Sequence, residues 1–217
     1  MKFTPGDATD SKHCTALKHE FLRCEDAFKD FETYGKLMIL KAQAEGQFPT
    51  SAHEKRLIAY KTYNAYSRFI LHLYEFMLGA VAREIGNTGE LRGKRADRYV
   101  MGHAQRILMG RRRAIQNGAP GWENSLSYFP ENVPEEFAEE FRRMRNKISV
   151  HVSYERSSIR LSDFYEKYHK YVHLLYWNCL GHWGLRGKEF PDLREITNFS
   201  VLVKKAAANG NGASVMS

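Results

Sequence analysis

Cysteine is scarce in this 217-residue chain: Cys14, Cys24 and Cys179 are the only three. The number is odd and no Cys-x-x-Cys spacing occurs. A disulfide framework is therefore not expected, and a reducing, cytoplasmic setting is. No run approaches roughly eighteen apolar residues, so no segment is expected to span a membrane. The opening MKFTPGDATDSKH lacks the apolar centre of a signal peptide. Alternating strand patterns are missing apart from a short one near Val201, and so are internal repeats and any linker long enough to split the chain. GNTGELRGKR, starting at Gly86, lacks the spacing of a phosphate-binding P-loop. Scattered serines and histidines define no Ser-His-Asp order.

What is present is positive charge. Lysines and arginines number 33 against 25 acids, a net +8 with pI about 9.3. Such a field attracts polyanions, with nucleic acid or an anionic membrane surface as the usual candidates. Many soluble proteins are merely basic, so charge alone does not decide. Hydrophobic content of 43% and charged content of 27% suit a soluble globular domain.

Periodicity predicts one all-α domain, a helical bundle of about five main helices over 12–203, with a loose leader at 1–11 and a disordered tail at 204–217. From Ser11 to Glu45, Leu17, Phe21, Cys24, Phe28, Phe31, Tyr34, Leu37 and Met38 form one stripe. Ser51 and Glu54 read as a capping box opening a second helix to Ile85, apolar nearly all round and so central. Gly86, Asn87 and Gly89 should stop it. A basic helix follows from Lys94 to Gln116. The next helix has Pro134 at its first position, acids at its start and bases at its end. A last main helix runs from Ser162 to Leu180, and 192–203 adds a short element.

The stretch FRRMRNKISVHVSY, Phe141 to Tyr154, concentrates Arg142, Arg143, Arg145 and Lys147, with His151 six positions after Arg145. Six residues turn through about 600° on a straight helix, leaving Arg145 and His151 roughly 120° apart. Residues at i and i+4 would share a face; these do not. A twofold axis between two copies would bring them into one cleft. There a neutral imidazole can take the proton of a ribose 2′-hydroxyl. Guanidinium matches phosphate oxygens and steadies the charge that develops on them. Asn146 would orient the histidine or hold a phosphate oxygen. Together these groups suffice for RNA cleavage without metal or cofactor, giving a 2′,3′-cyclic phosphate and a 5′-hydroxyl. The plain alternative is a basic helix end.

The segment Arg145-Asn146-Lys147-Ile148-Ser149-Val150-His151 resembles the signature of the HEPN superfamily: an arginine, a polar residue, a few more, then a histidine. Its context is similar too, in the second half of an all-helical domain with a helix still to come. The resemblance implies a homodimeric ribonuclease of toxin–antitoxin, abortive-infection or CRISPR-linked defence systems. Arg145 and His151 would be catalytic and Asn146 assisting. Its partners would be RNA, a second copy, and an antitoxin or other defence protein, with no membrane. An acidic residue of an earlier helix would face the site. Glu75, in HLYEF, takes that place, since a charge in an aromatic stretch needs a partner such as Arg145. The gap of five and the position of Tyr154 depart from the branch whose tyrosine is modified by a nucleotidyltransferase. A helical module that binds RNA or protein without cutting is the second reading.

Other groups compete for attention. Arg95, Arg98 and Arg106 lie along one side of the basic helix, Arg111, Arg112 and Arg113 cluster at its end, and with Lys147 they would bind phosphates. A solvated face is the bland equivalent. His72 would share the Glu75 cleft or serve as a hydrogen-bonded core residue. His103 would touch RNA. Glu166, His169 and His173 have metal-ligand spacing, with Cys179 and His182 further along. Amid Tyr165, Tyr168, Tyr171, Tyr176 and Trp177, packing is the simpler role for these histidines.

Overall fold

The computed structural model describes residues 2–44, 49–87, 89, 91–119, 125–149, 160–183 and 194–208. Among them the chain is all-α: α1 (Ala8–Gln43), α2 (Ala52–Glu84), α3 (Gly93–Gln116), a 3₁₀ turn at Leu126–Tyr128, α4 (Phe137–Ser149), α5 (Leu161–Trp183) and α6 (Arg194–Ala208). Two units are distinguished, Met1–Gly187 with α1 to α5 and Lys188–Ser217 with α6. No helix among the described residues is long and apolar enough to cross a membrane.

α1 and α2 form an antiparallel hairpin. Their cap residues are chemically ordinary. Asp7 accepts from the Asp10 amide at 2.8 Å, and Ser51 accepts from the Glu54 amide at 3.1 Å. Glu54 turns its carboxylate to Lys41 on α1, at 2.8 Å, and so ties the two helices at the hairpin's tip. α2 ends as its glycine foretells. Gly86 adopts φ 61°, its amide bonds the Arg83 carbonyl, and the Asn87 amide bonds that of Ala82 at 2.9 Å, the paired closure of a Schellman motif. α3 closes in the same way over Gly118, at φ 89°.

The expected loose leader is tied down instead. The Phe3 amide bonds the Gly86 carbonyl at 3.0 Å. Asp10, 3% exposed, accepts from the Gly6 amide at 2.8 Å and from Arg83 at 2.8 and 3.2 Å. Hydrogen bonding from the Arg83 guanidinium holds the Asp10 carboxyl well below the usual carboxylate range. These contacts start α1 at Ala8 and fasten it to the far end of α2. Three further boundaries differ from expectation. α4 begins at Phe137, because the Pro134 carbonyl closes a turn on the Phe137 amide at 3.0 Å and helical bonding starts from the Glu136 carbonyl. α6 spans the short strand expected near Val201 and the first part of the expected tail, through Ala208. Ile196, Phe199 and Val203 follow helical spacing there, which outweighs the β-branched run; residues 209–217 lie outside the described ones.

α2 packs against α1, α3, α4 and α5, as a helix apolar nearly all round must. Phe69, Ile70, Leu73 and Val81 are wholly buried. The α1 stripe is buried only from Leu17 to Phe28; Met38 is 44% exposed. At 36 residues α1 is about 54 Å long, against about 36 Å for α3, so the hairpin outruns the helices that cover it.

Where α1, α2 and α5 meet, the core is aromatic. Phe28 lies 4.5 Å from Tyr176, and Phe69 meets Tyr176 edge-on at 5.4 Å (centroid distances). His169 and His173 belong to this junction. His169 Nδ1 is 3.1 Å from the Tyr66 hydroxyl, and His173 Nε2 accepts from the Trp177 indole N–H at 2.6 Å. Glu166 is exposed, and among the described residues no group of three His, Cys, Asp or Glu side chains could hold a metal ion. Burial pushes His169 down to about 4 and lowers His173 as well. The unfolded chain therefore binds protons that the folded one refuses. Stability should hold above the ordinary histidine value of 6.5 and fall as pH drops towards about 4. Below that the histidine contribution is exhausted, and protonation of Asp10, whose carboxyl is held low in the folded chain, continues the loss. Thermal melting across that range checks this, and His169→Gln should flatten the slope.

Candidate functional site

A cavity of about 510 Å³ opens between α2, α4 and the start of α3, with His13 of α1 at its edge. α4 contributes Arg142, Arg145 and Asn146. Their i, i+3, i+4 spacing puts all three on one face. α2 contributes Tyr74, Glu75, Leu78 and Ala82, and Arg92 and Gly93 lead into α3.

Arg145 is the centre of this wall. Its Nε and one terminal nitrogen both donate to Glu75 Oε1. Its other terminal nitrogen donates to Asn146 Oδ1 at 2.9 Å. Its guanidinium carbon stands 5.8 Å from the centre of the Tyr74 ring. The Arg145 and Glu75 side chains are 30% and 34% exposed, so the pair sits at the cavity mouth. One turn earlier Arg142 makes a fork to Asp97 of α3, at 2.8 and 3.0 Å, and hydrogen bonding to Asp97 raises its pKa further. The two pairs fix α4 to α2 and to α3 at once. His13 Nε2 lies 2.8 Å from the Gly79 carbonyl. A carbonyl only accepts, so that nitrogen carries the proton.

Three guanidiniums, of Arg92, Arg142 and Arg145, line the cavity; Arg142 is paired with Asp97 behind the lining and Arg145 with Glu75. A guanidinium has five N–H donors. Arg145 commits three, which leaves one on each terminal nitrogen, the geometry for two oxygens of one phosphate.

The structure thus brings together Glu75, Arg145 and Asn146, distant in sequence. His151 and Tyr154 lie outside the described residues. Lys147 is exposed on α4 and does not line the cavity. His72 does not join the site: its Nδ1 is 2.7 Å from Glu20 Oε1 on α1. His103 stands 3.2 Å from Glu84. Arg95, Arg98, Arg106 and Arg113 are exposed along α3. Arg112 is not available in the same way, being 18% exposed, with its guanidinium on the Phe129 carbonyl and 3.8 Å from Glu131. Arg111 lies over the Phe129 ring at 6.0 Å. Both fasten the segment before α4 onto α3. Sequence reasoning missed Tyr74, His13, Arg92 and Arg142 as parts of the wall. Arg142, three before Arg145, was within reach of the spacing rule; His13 and Arg92 needed the tertiary fold.

Tyr74 is 1% exposed, yet its hydroxyl has no hydrogen-bond partner among the described residues, and burial pushes its pKa up to about 12. An unpaired buried hydroxyl costs about 1–3 kcal/mol. Tyr74→Phe should therefore hold or raise the unfolding free energy in urea, by at most about that amount; a loss would mean that the hydroxyl is paired. No protein family matches this chain, and no curated protein or solved structure matches it.

Proposed function

We propose that this protein is a metal-independent endoribonuclease of HEPN type, working as a cytoplasmic homodimer on single-stranded or loop RNA in toxin or antiviral defence. One observation carries the reading: Arg145, Glu75 and Asn146 meet on one wall of a cavity that Arg142 and Arg92 also line. The signature supplies His151, five residues beyond Asn146.

In the proposed step, neutral His151 takes the proton of a ribose 2′-hydroxyl. The oxygen attacks the adjacent phosphorus, the P–O5′ bond breaks, and the 5′-oxygen leaves with a proton. The products are a 2′,3′-cyclic phosphate and a 5′-hydroxyl. Arg145 holds the non-bridging oxygens as charge builds on them. Glu75 is a positioning residue: it fixes the guanidinium and takes no proton. On one continuous helix Arg145 and His151 would not share a face, so in this reading the arginine of one subunit would serve the histidine of the other. An antitoxin or other defence protein would cover the cleft when the enzyme is silent.

The second reading, a helical module that binds RNA or protein without cutting, draws on the same ion pairs. Both Arg142 and Arg145 are already compensated by carboxylates, which a purely structural wall would also require.

Purified protein should cut single-stranded RNA in EDTA and leave DNA of the same sequence intact. His151→Ala should lower the rate about 10²–10⁴-fold, and Arg145→Ala about 10²–10³-fold. RNA that is bound but uncut in chelator, or cleavage unchanged in His151→Ala, would overturn the enzyme in favour of the binding module.

A further inference from the structure

A second concavity, of about 640 Å³, lies between α3 and α5, away from the Arg145 wall. Arg106, Gly110 and Arg111 form one side, and Leu174, Trp177 and Asn178 the other. Trp177 is 54% exposed, unusual for so large an apolar ring. Its indole N–H is taken by His173, which meets the ring edge-on at 84°. The ring is thus tethered through its N–H while it lines a groove shared with Arg106 and Arg111.

The features continue along α5. Lys170, Leu174 and Trp177 are spaced i, i+4, i+7 and share a face. Lys170 Nζ lies 5.9 Å from the ring centre of Tyr128, itself 46% exposed. Tyr128 meets Phe129 edge-on at 5.0 Å, and Phe129 carries Arg111, which returns to the Trp177 groove. Two exposed rings and three cations therefore form one strip. From Lys170 to Trp177 the helix rises about 10 Å, about three stacked base steps of roughly 3.4 Å. A backbone-tracking set of cations interleaved with aromatic platforms is how single strands are held without regard to sequence. Duplex DNA hides its base faces and offers the rings nothing.

We infer that the α3–α5 groove binds single-stranded nucleic acid, with bases on Trp177 and Tyr128 and phosphates on Arg106, Arg111 and Lys170. The site rests on the proposed function only for the ligand's being RNA in the cell; none of the cavity residues is needed for it.

The test uses a 5′-labelled dT12 oligonucleotide, which has no 2′-hydroxyl to attack, and fluorescence anisotropy of the full-length protein. Wild type should bind, more weakly as salt rises, and should bind the dT12·dA12 duplex less well. Trp177→Ala should weaken binding about 10- to 100-fold, the loss of one stacked base, while Trp177→Phe keeps a platform and most of the affinity. Gly110→Leu gives a variant independent of Trp177's packing. A Cβ there meets no atom within 4 Å, so the helix should tolerate it while the side chain fills the groove and weakens binding at least about tenfold. Unchanged affinity in both Trp177→Ala and Gly110→Leu, or no binding of dT12 by wild type, would overturn the groove. Protein that binds dT12 through Trp177 but leaves RNA uncut would overturn the nuclease and leave the groove standing. Cleavage without Trp177-dependent binding would do the reverse.

Discussion

One ion pair, Glu75 with Arg145, ties the central helix of this molecule to α4 at the mouth of the cavity. Glu75 lies on α2 between Tyr74 and Phe76, each 1% exposed, on the helix that four others pack against. Arg145 answers it from α4. Partial exposure places the pair's worth between the roughly 0–1 kcal/mol of a surface bridge and the roughly 3–5 kcal/mol lost on breaking a buried one. Its geometric effect is larger than its energetic one. Once Arg145 is committed to α2 and Arg142 to Asp97 on α3, α4 can neither rotate nor slide without leaving a charge unpaired.

That locking gives the wall its chemistry. Arg145 is held by Glu75 and by Asn146 where it lines the cavity. Preorganised donors of this kind stabilise developing charge without having to rearrange during the reaction. A basic surface on α3 and the aromatic groove at α5 would add affinity that depends on phosphate and stacking rather than on sequence. In the proposed enzyme, ligand capture and chemistry would fall on different faces of one helical scaffold.

Much of this was readable from residue spacing. The α2 boundaries followed from Ser51 and Gly86, because caps and left-handed glycines act locally. Glu75 was suggested as a partner of Arg145 by the family resemblance, while its aromatic surroundings left a solvent-facing carboxylate equally open; the fold pairs the two. Other features required the tertiary fold. Asp10 and Arg83, which pin down the expected leader, are 73 residues apart. His72 faced α1 rather than the cavity because Glu20, far away in the chain, lay opposite it. Arg112 looked like its neighbours Arg111 and Arg113, and only the course of the segment at Phe129 turned it inward. At Val201 a β-branched run misled, since helical spacing of the larger side chains prevailed.

In the proposed enzyme one subunit's Arg145 works with the other's His151. A heterodimer in which one chain carries Arg145→Ala and the other His151→Ala, purified through two different tags, puts that pairing to the test. Each parent homodimer should be inactive on RNA, and the heterodimer should cut it, because one intact arginine and one intact histidine then face each other across the axis. An isolated heterodimer as inactive as its parents would contradict the shared site.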